Sequence, residues 1–255
     1  MLVNDYEFLV GKAIDLLRQA RHAVALTGAG ISTPSGIPDF RTPGSGVWED
    51  VDPMAVASIY AFRNRPEAFY EWLRPLADLL GQAQPNPAHV ALAQLEAYGP
   101  LKCVITQNID ALHGRAGSKN IYEVHGHLRQ ATCLACHHQY DARPFLEAFT
   151  ASGAVPICPD CAGVLKPDVV LFGEMLPFRE IQAAQREAAG CDLMLVVGSS
   201  LEVTPVADLP RLTRQSGARL IIVNFTETYA DAWADVVIHA DVAEVLPELA
   251  RPFLP

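Results

Sequence analysis

AVALTGAGISTPSGIPDFR, residues 23–41, is the stretch on which the reading of this chain turns. Ala23-Val24-Ala25-Leu26 is an apolar run the length of one buried strand. Thr27-Gly28-Ala29-Gly30 follows it directly. Two glycines after a strand let the backbone turn tightly and come close to a ligand phosphate, which is how dinucleotide sites open. The third glycine of G-x-G-x-x-G would fall on Thr33, and no acid about 20 residues on has the strand-end setting that reads a ribose. On glycine spacing alone, an ordinary strand-turn-helix competes evenly with a nucleotide site. Gly36-Ile37-Pro38-Asp39-Phe40-Arg41 then places an acid, an aromatic and a base in a row, and Pro34 and Pro38 keep any helix here short.

Outward from this stretch, the chain has 255 residues, half of them hydrophobic and 19% charged, enough for one large domain with inserts and too apolar for disorder. A net charge of −10 disfavours a phosphate-backbone footprint, so no direct nucleic-acid partner is expected. No apolar run is long enough to span a bilayer, and Met1–Ala20 lacks a basic region ahead of an apolar core; it reads as an amphipathic helix. No membrane partner is therefore expected. Four of the six cysteines form two C-x-x-C pairs, which fits metal in a reducing compartment and hence the cytoplasm.

Further strand-like runs end in small or polar residues. Leu101–Thr106 leads to Gln107-Asn108-Ile109-Asp110, and Ile121–Val124 to His125-Gly126. Asp192–Val197 leads to Gly198-Ser199-Ser200, Leu220–Val223 to Asn224, and Val236–Ile238 to His239-Ala240-Asp241. Helical patterns alternate with them, including one over Thr204–Gln215. The expected fold is α/β, a doubly wound, mostly parallel Rossmann-like sheet carrying a helical insertion and a small zinc-binding module. The boundaries read 1–41, 86–127 and 166–255 for the three parts of the sheet domain, 42–85 for the helical insertion and 128–165 for the zinc module. Val169–Phe172 reads as a strand that returns to the main sheet. Aromatics of the insertion (Phe62, Phe69, Tyr70, Trp72) read as core. Cys103 and Cys191 read as buried, inert thiols.

Cys133-x-x-Cys136 and Cys158-x-x-Cys161 form the most specific metal signal. Four thiolates fill a tetrahedral zinc and leave no position for water, so the metal is structural, and His137 and His138 are not needed as ligands. His125, at a strand end before glycine, is the candidate general base, with His113 and His127 as weaker ones. His89 reads as structural.

GAGIS, GIPDFR, TQNID, the Tyr-Glu-Val-His-Gly stretch, the paired C-x-x-C motifs, KPDVVLFGE, GSSLEV and VNF occur in one order that resembles the sirtuins, the NAD-dependent protein lysine deacylases, in a prokaryotic-type single-domain form. The resemblance covers roughly residues 22 to 242. It implies that Gly28, Ala29, Gly30 and Ser32 hold the NAD pyrophosphate and neighbouring ribose, and that Ile37, Asp39, Phe40 and Arg41 form a loop closing over NAD. It implies Gln107, Asn108, Ile109 and Asp110 around the nicotinamide ribose and carboxamide. Gly198, Ser199, Ser200 and Asn224 would take the adenosine half, with Asp241 and Val242 near the adenine. His125 would take a proton from the ribose diol, and Asn108 would orient the hydroxyls or a water. An acyl-lysine peptide would add as a strand between Val169, Val170, Phe172, Gly173, Glu174 and Leu201, Glu202, Val203. The products would be free lysine, nicotinamide and O-acyl-ADP-ribose, with one structural zinc per monomeric chain.

Members of that family that prefer succinyl or malonyl lysine carry Tyr-x-x-Arg in the insertion. Here Tyr70 is followed three residues on by Leu73, and Arg74 comes one residue late, so a neutral acyl group, most simply acetyl, is expected. Mono-ADP-ribosyl transfer to protein and a non-catalytic NAD or ADP-ribose sensor are the alternatives. A dehydrogenase is disfavoured by Thr33 and the missing ribose acid.

Overall fold

The computed structural model describes residues 3–39, 46 and 51–255. Phe40 and Arg41, expected in the loop over NAD, lie outside the described residues. The chain divides into two compact units.

The first unit comprises residues 1–35, 84–124 and 178–255. Its sheet contains β1 (Ala23–Thr27), β2 (Leu101–Thr106), β3 (Ile121–Glu123), β7 (Leu193–Val197), β8 (Arg219–Val223) and β9 (Val236–Ile238). The remaining strands of the chain are β4 (Gly126–Cys133), β5 (Gln139–Asp141) and β6 (Leu165–Val169). The first sheet is wholly parallel, in the order β3-β2-β1-β7-β8-β9. Every residue of β1 and of β7 is buried, as expected of parallel strands covered on both faces. Val10, Ala13 and Leu17 of helix Val3–Gln19, Ala88, Leu92 and Leu95 of helix Pro87–Tyr98, and Val245, Leu246 and Leu249 of helix Val242–Ala250 share one core with Ala23, Ala25, Leu193 and Leu195. Helices Phe178–Gly190 and Leu209–Gln215 pack on each other and on β3, β7 and β8.

The order reverses at β1, which joins β2 on one side and β7 on the other. In open α/β sheets the crevice beyond the strand ends at such a reversal is where ligands bind.

The second unit comprises residues 36–83 and 125–177. Among the described residues, helices Pro53–Val56, Ile59–Asn64 and Pro66–Gln82 make up the helical insertion. Pro66 opens the longest of them, and Phe62, Phe69 and Tyr70 are buried with ring centroids 5.1–5.9 Å apart, Phe69 lying edge-on to both others. Trp72 is only partly buried against Phe69.

Strands β4, β5 and β6 form an antiparallel sheet in the order β5-β4-β6. This corrects the expectation that the Lys166–Glu174 stretch rejoins the main sheet. β6 starts at Leu165 and pairs with β4, and the strand ends at Val169; Phe172 makes only an isolated bridge with Ser58. An apolar run reports burial, and burial in a small inserted sheet has the same sequence texture as burial in a large one.

The helix expected over Thr204–Gln215 begins only at Leu209, after a 3-10 turn at Val206–Asp208. Pro210 sits in its first turn, where a missing N–H costs nothing. Among the described residues no helix is long and apolar enough to cross a membrane.

Candidate active site and metal centre

The crevice at the reversal is built from three strand ends of the first unit. β1 and β7 run in register from Ala23 beside Leu193 to Thr27 beside Val197, so their loops leave side by side. The Gly28 N–H donates to the Val197 carbonyl at 3.3 Å and the Gly30 N–H to the Gly198 carbonyl at 2.8 Å. A Cβ on Gly30 would lie 2.9 Å from Gly198 Cα, and one on Gly198, whose φ is +57°, would lie 2.2 Å from the Ile31 nitrogen. Only glycine permits these loops to touch. Thr33, where the dinucleotide fingerprint has its third glycine, donates its hydroxyl to the Gly30 carbonyl at 3.1 Å. That glycine serves close packing of a following helix on the sheet. Here only short 3-10 turns, Ala29–Ile31 and Thr33–Ser35, follow, so it has no task.

Hydrogen bonds from the β2 end tie the loops together. Gln107 Nε2 donates to Ser199 Oγ at 2.9 Å. Asn108 Nδ2 donates to the Gly28 carbonyl at 3.0 Å and to Ser32 Oγ at 3.1 Å, and Ser32 Oγ donates to Asp110 Oδ2 at 2.6 Å. Burial holds the Asp110 carboxyl above the usual carboxylate range, against the pull of its bonds from Ser32 and the Leu112 N–H. Hydroxyls, amides and one shielded acid, with glycine backbone beside them, suit the diols and phosphates of a dinucleotide.

The adenine-side expectations fall less neatly. Asn224 Nδ2 donates to the Thr226 carbonyl at 2.8 Å, and the Asn224 carbonyl meets His239 Nδ1 at 2.9 Å. Asp241 caps helix Val242–Ala250 by accepting from the Ala243 N–H, and Val242 points into the core. Ser200 and Glu202 are exposed, Leu201 is buried and Val203 is half-buried. Ile109 and Ala29 are partly exposed at their turns.

A polar layer beneath the crevice was missed by sequence reasoning. The Thr27 hydroxyl donates to Thr106 Oγ1 at 2.8 Å and meets His113 Nε2 at 2.9 Å, and Thr106 Oγ1 accepts from the Asn108 N–H at 3.1 Å. His89 packs edge-on against His113 with centroids 4.9 Å apart. Asn86 caps helix Pro87–Tyr98, and its N–H donates to His89 Nδ1 at 3.4 Å. Asn-x-x-His ahead of an apolar helix has capping-box spacing, so the Asn86–His89 half was legible in principle. His113 is thus a buried structural group, not a base. Burial lowers His89 to about 4 and His113 to about 3.

In the second unit, His125 is partly exposed directly before Gly126, whose φ is +77°. The His125 carbonyl accepts from the Val170 N–H at 2.8 Å. Glu174 Oε2 accepts from the Leu171 N–H at 2.8 Å and pairs with Lys166 Nζ at 3.1 Å, so its charge is already answered. Phe172 is exposed, Gly173 takes φ +85°, and Val169 and Ile37 are buried.

The four cysteines come together as expected. Their sulfurs all lie within 4.8 Å of one another, with Cys133–Cys161 at 3.4 Å and Cys136–Cys158 at 3.7 Å. A tetrahedral zinc with bonds near 2.3 Å sets its sulfurs about 3.8 Å apart, so the donor set fits. His138 instead meets Asp160 at 2.6 Å, and the Tyr140 hydroxyl bridges Asp160 and Cys158. The small core around Ala131, Ala142 and Leu165 includes Cys133 and Cys158 themselves, so metal and core are one unit.

Tyr70 is fully buried and donates to the Leu165 carbonyl at 2.6 Å, while Arg74 donates twice to the Thr150 carbonyl, at 2.7 and 3.2 Å. Both members of the nearest Tyr/Arg pair are therefore engaged by backbone.

The sequence model of the Sir2 family matches residues 28–205. The chain belongs to the Sir2 family. It is 48% identical over 243 residues to the NAD-dependent protein deacylase 2 of Archaeoglobus fulgidus, covering 95% of each chain. A solved Sir2 enzyme structure superposes with a TM-score of 0.91 at 48% identity, covering 96% of this chain and 97% of that one. A Sir2 variant solved with deacetylated p53 peptide and 3′-O-acetyl-ADP-ribose superposes at 0.90 with 42% identity, covering 95% and 98%. This Sir2 chain therefore matches whole relatives, not a fragment of them.

Proposed function

We infer that this chain is an NAD-dependent protein lysine deacylase that removes acetyl groups, giving nicotinamide and O-acetyl-ADP-ribose. The observation carrying this is the Asn108–Ser32–Asp110 and Gln107–Ser199 hydrogen-bond set, which fixes three loops at the sheet's reversal point. The deacetylated-peptide and acetyl-ADP-ribose complex of a Sir2 relative supports the chemistry.

When bound, NAD would supply the ADP-ribosyl group that accepts the acyl group, with loss of nicotinamide and uptake of one water. Gly28, Ala29, Gly30 and Ser32 hold its pyrophosphate side. Gln107, Asn108, Ile109 and Asp110 orient the nicotinamide ribose, and Gly198, Ser199, Ser200, Asn224, Asp241 and Val242 hold the adenosine side. His125 takes the ribose proton. A neutral imidazole can accept that proton. Ile37 and Asp39 belong to the segment we assign to the NAD ribose. Val169, Val170, Phe172, Gly173, Glu174, Leu201, Glu202 and Val203 take the peptide as an added strand, mainly through backbone, so sequence demand is weak.

Zinc on Cys133, Cys136, Cys158 and Cys161 holds the module and takes no chemical step. Four thiolate ligands support a reducing compartment, the cytoplasm, and we take the protein to act as a monomer. The engagement of Tyr70 and Arg74 supports a neutral acyl group over a succinyl one.

The test is NAD-dependent turnover of acetyl- and succinyl-lysine peptides followed by mass spectrometry, with His125→Ala as control. Loss of acetyl with His125→Ala inactive is expected. Gain of ADP-ribose by the protein acceptor, or faster succinyl removal, overturns the reading.

A further inference from the structure

Lys166 carries a charge that the proposed chemistry does not use, and it is buried: 9% of its side chain is exposed, against 25% for its partner Glu174. An ammonium has three N–H donors, and here all three have targets. Nζ donates to the Pro167 carbonyl at 3.0 Å, to the Val169 carbonyl at 2.8 Å, and to Glu174 Oε2 at 3.1 Å. The same carboxylate oxygen accepts from the Leu171 N–H at 2.8 Å. Between Val169 and Leu171 lies Val170, whose N–H donates to the His125 carbonyl at 2.8 Å. The Glu174 N–H closes the turn on the Leu171 carbonyl at 3.0 Å. One ion pair therefore grips Val169 and Leu171 from both sides of the residue that holds the backbone of His125.

Such a pair is a weak source of stability. Desolvating two charges costs about what their attraction returns, and apolar replacements of similar size are often neutral. What an apolar pair cannot do is draw two carbonyls and an amide to fixed points. Geometry, not stability, is what this pair supplies.

We propose that the Lys166–Glu174 ion pair is a positioning latch for the reaction: it fixes the Val169–Leu171 backbone and, through the Val170 N–H, the carbonyl of His125. Lys166 is a positioning residue, acting through His125 and through the backbone that meets the peptide, and Glu174, itself assigned to the peptide, also acts this way through the Leu171 N–H. The inference rests on His125 being the general base. The residues assigned to NAD lie mostly in the other unit, so the latch acts on turnover and peptide KM, not on NAD affinity.

The test replaces both charges at once, Lys166→Met with Glu174→Met, so that no buried charge is left unpaired. The double variant is expected to retain zinc and to bind NAD alone with wild-type affinity, while kcat for acetyl-peptide falls roughly 10- to 100-fold, the scale of a misplaced catalytic group. Glu174→Met alone is expected to lose less, and Glu174→Gln, which keeps an acceptor for both donors, to recover most of that loss. Wild-type kcat and peptide KM in a double variant that binds zinc and NAD overturn the latch. If the double variant does not fold, equal kinetics of Glu174→Met and Glu174→Gln overturn it. Faster amide exchange at Val170 and Leu171 in the variants is expected whatever the reaction is. A wild-type enzyme that does not deacylate, with that exchange pattern present, removes the assigned reaction and leaves the backbone latch standing.

Discussion

Acid should unfold this protein through two buried histidines, His89 and His113. His89 and His113 are buried against each other, and His89 Nδ1 accepts a hydrogen bond, so it carries no proton there. Burial lowers His89 to about 4 and His113 to about 3. In the unfolded chain each takes up its proton at about 6.5. Between those limits the unfolded state binds more protons, so stability rises with pH and is lost as pH falls below about 6.5. Each histidine contributes about 1.4 kcal/mol per pH unit, so a drop to pH 5 costs roughly 2 kcal/mol per histidine and roughly 4 for the pair. That is a large share of a typical domain's stability. His113→Gln removes one titrating group. Urea unfolding followed by circular dichroism at pH 7.5 and pH 5 should show the variant losing about 2 kcal/mol less than wild type between the two conditions. Protonation of the zinc thiolates acts on both proteins alike and cancels in the difference. Parallel losses in wild type and variant would refute the assignment of neutral, buried imidazoles.

Two further outcomes follow from the same geometry. Gly198→Ala places a Cβ 2.2 Å from the Ile31 nitrogen at a positive φ; strain and overpacking should cost roughly 2–4 kcal/mol and weaken NAD binding at least about tenfold, read by thermal melts and calorimetric titration. Chelation of zinc, or Cys158→Ser, should melt the Ala131–Leu165 core while β1, β7 and β8 keep their slow amide exchange; uniform loss of protection across both units would contradict a locally folded metal module.

The parallel strands were legible because burial on both faces leaves uninterrupted runs such as Leu193–Val197. The zinc cysteines were legible because ligand spacing within each pair is local. The Lys166–Glu174 stretch was placed in the wrong sheet, since an apolar run says that a strand is buried and not what buries it. The Thr27–Thr106–His113 layer was not legible at all. Its members are small or ambivalent residues far apart in sequence, and only the pairing of β1 with β2 brings the two threonines together. Tyr70 and Arg74 lay between these cases. Spacing showed that they depart from a pattern, and their backbone partners Leu165 and Thr150 explain where each side chain goes instead.

The side-by-side pairing of β1 with β7 also bears on how the chain comes to be folded. Ala23 finds its neighbour Leu193 only after the rest of β2 to β6 has been made. Until then β1 has one bare edge beside the apolar run Ala23–Leu26, the kind of surface that recruits other strands. Pairings this distant in sequence also close slowly. Chains that stop short of Leu193 should therefore depend on chaperones or aggregate, and the glycines at the crevice meet only when the last third of the protein is in place.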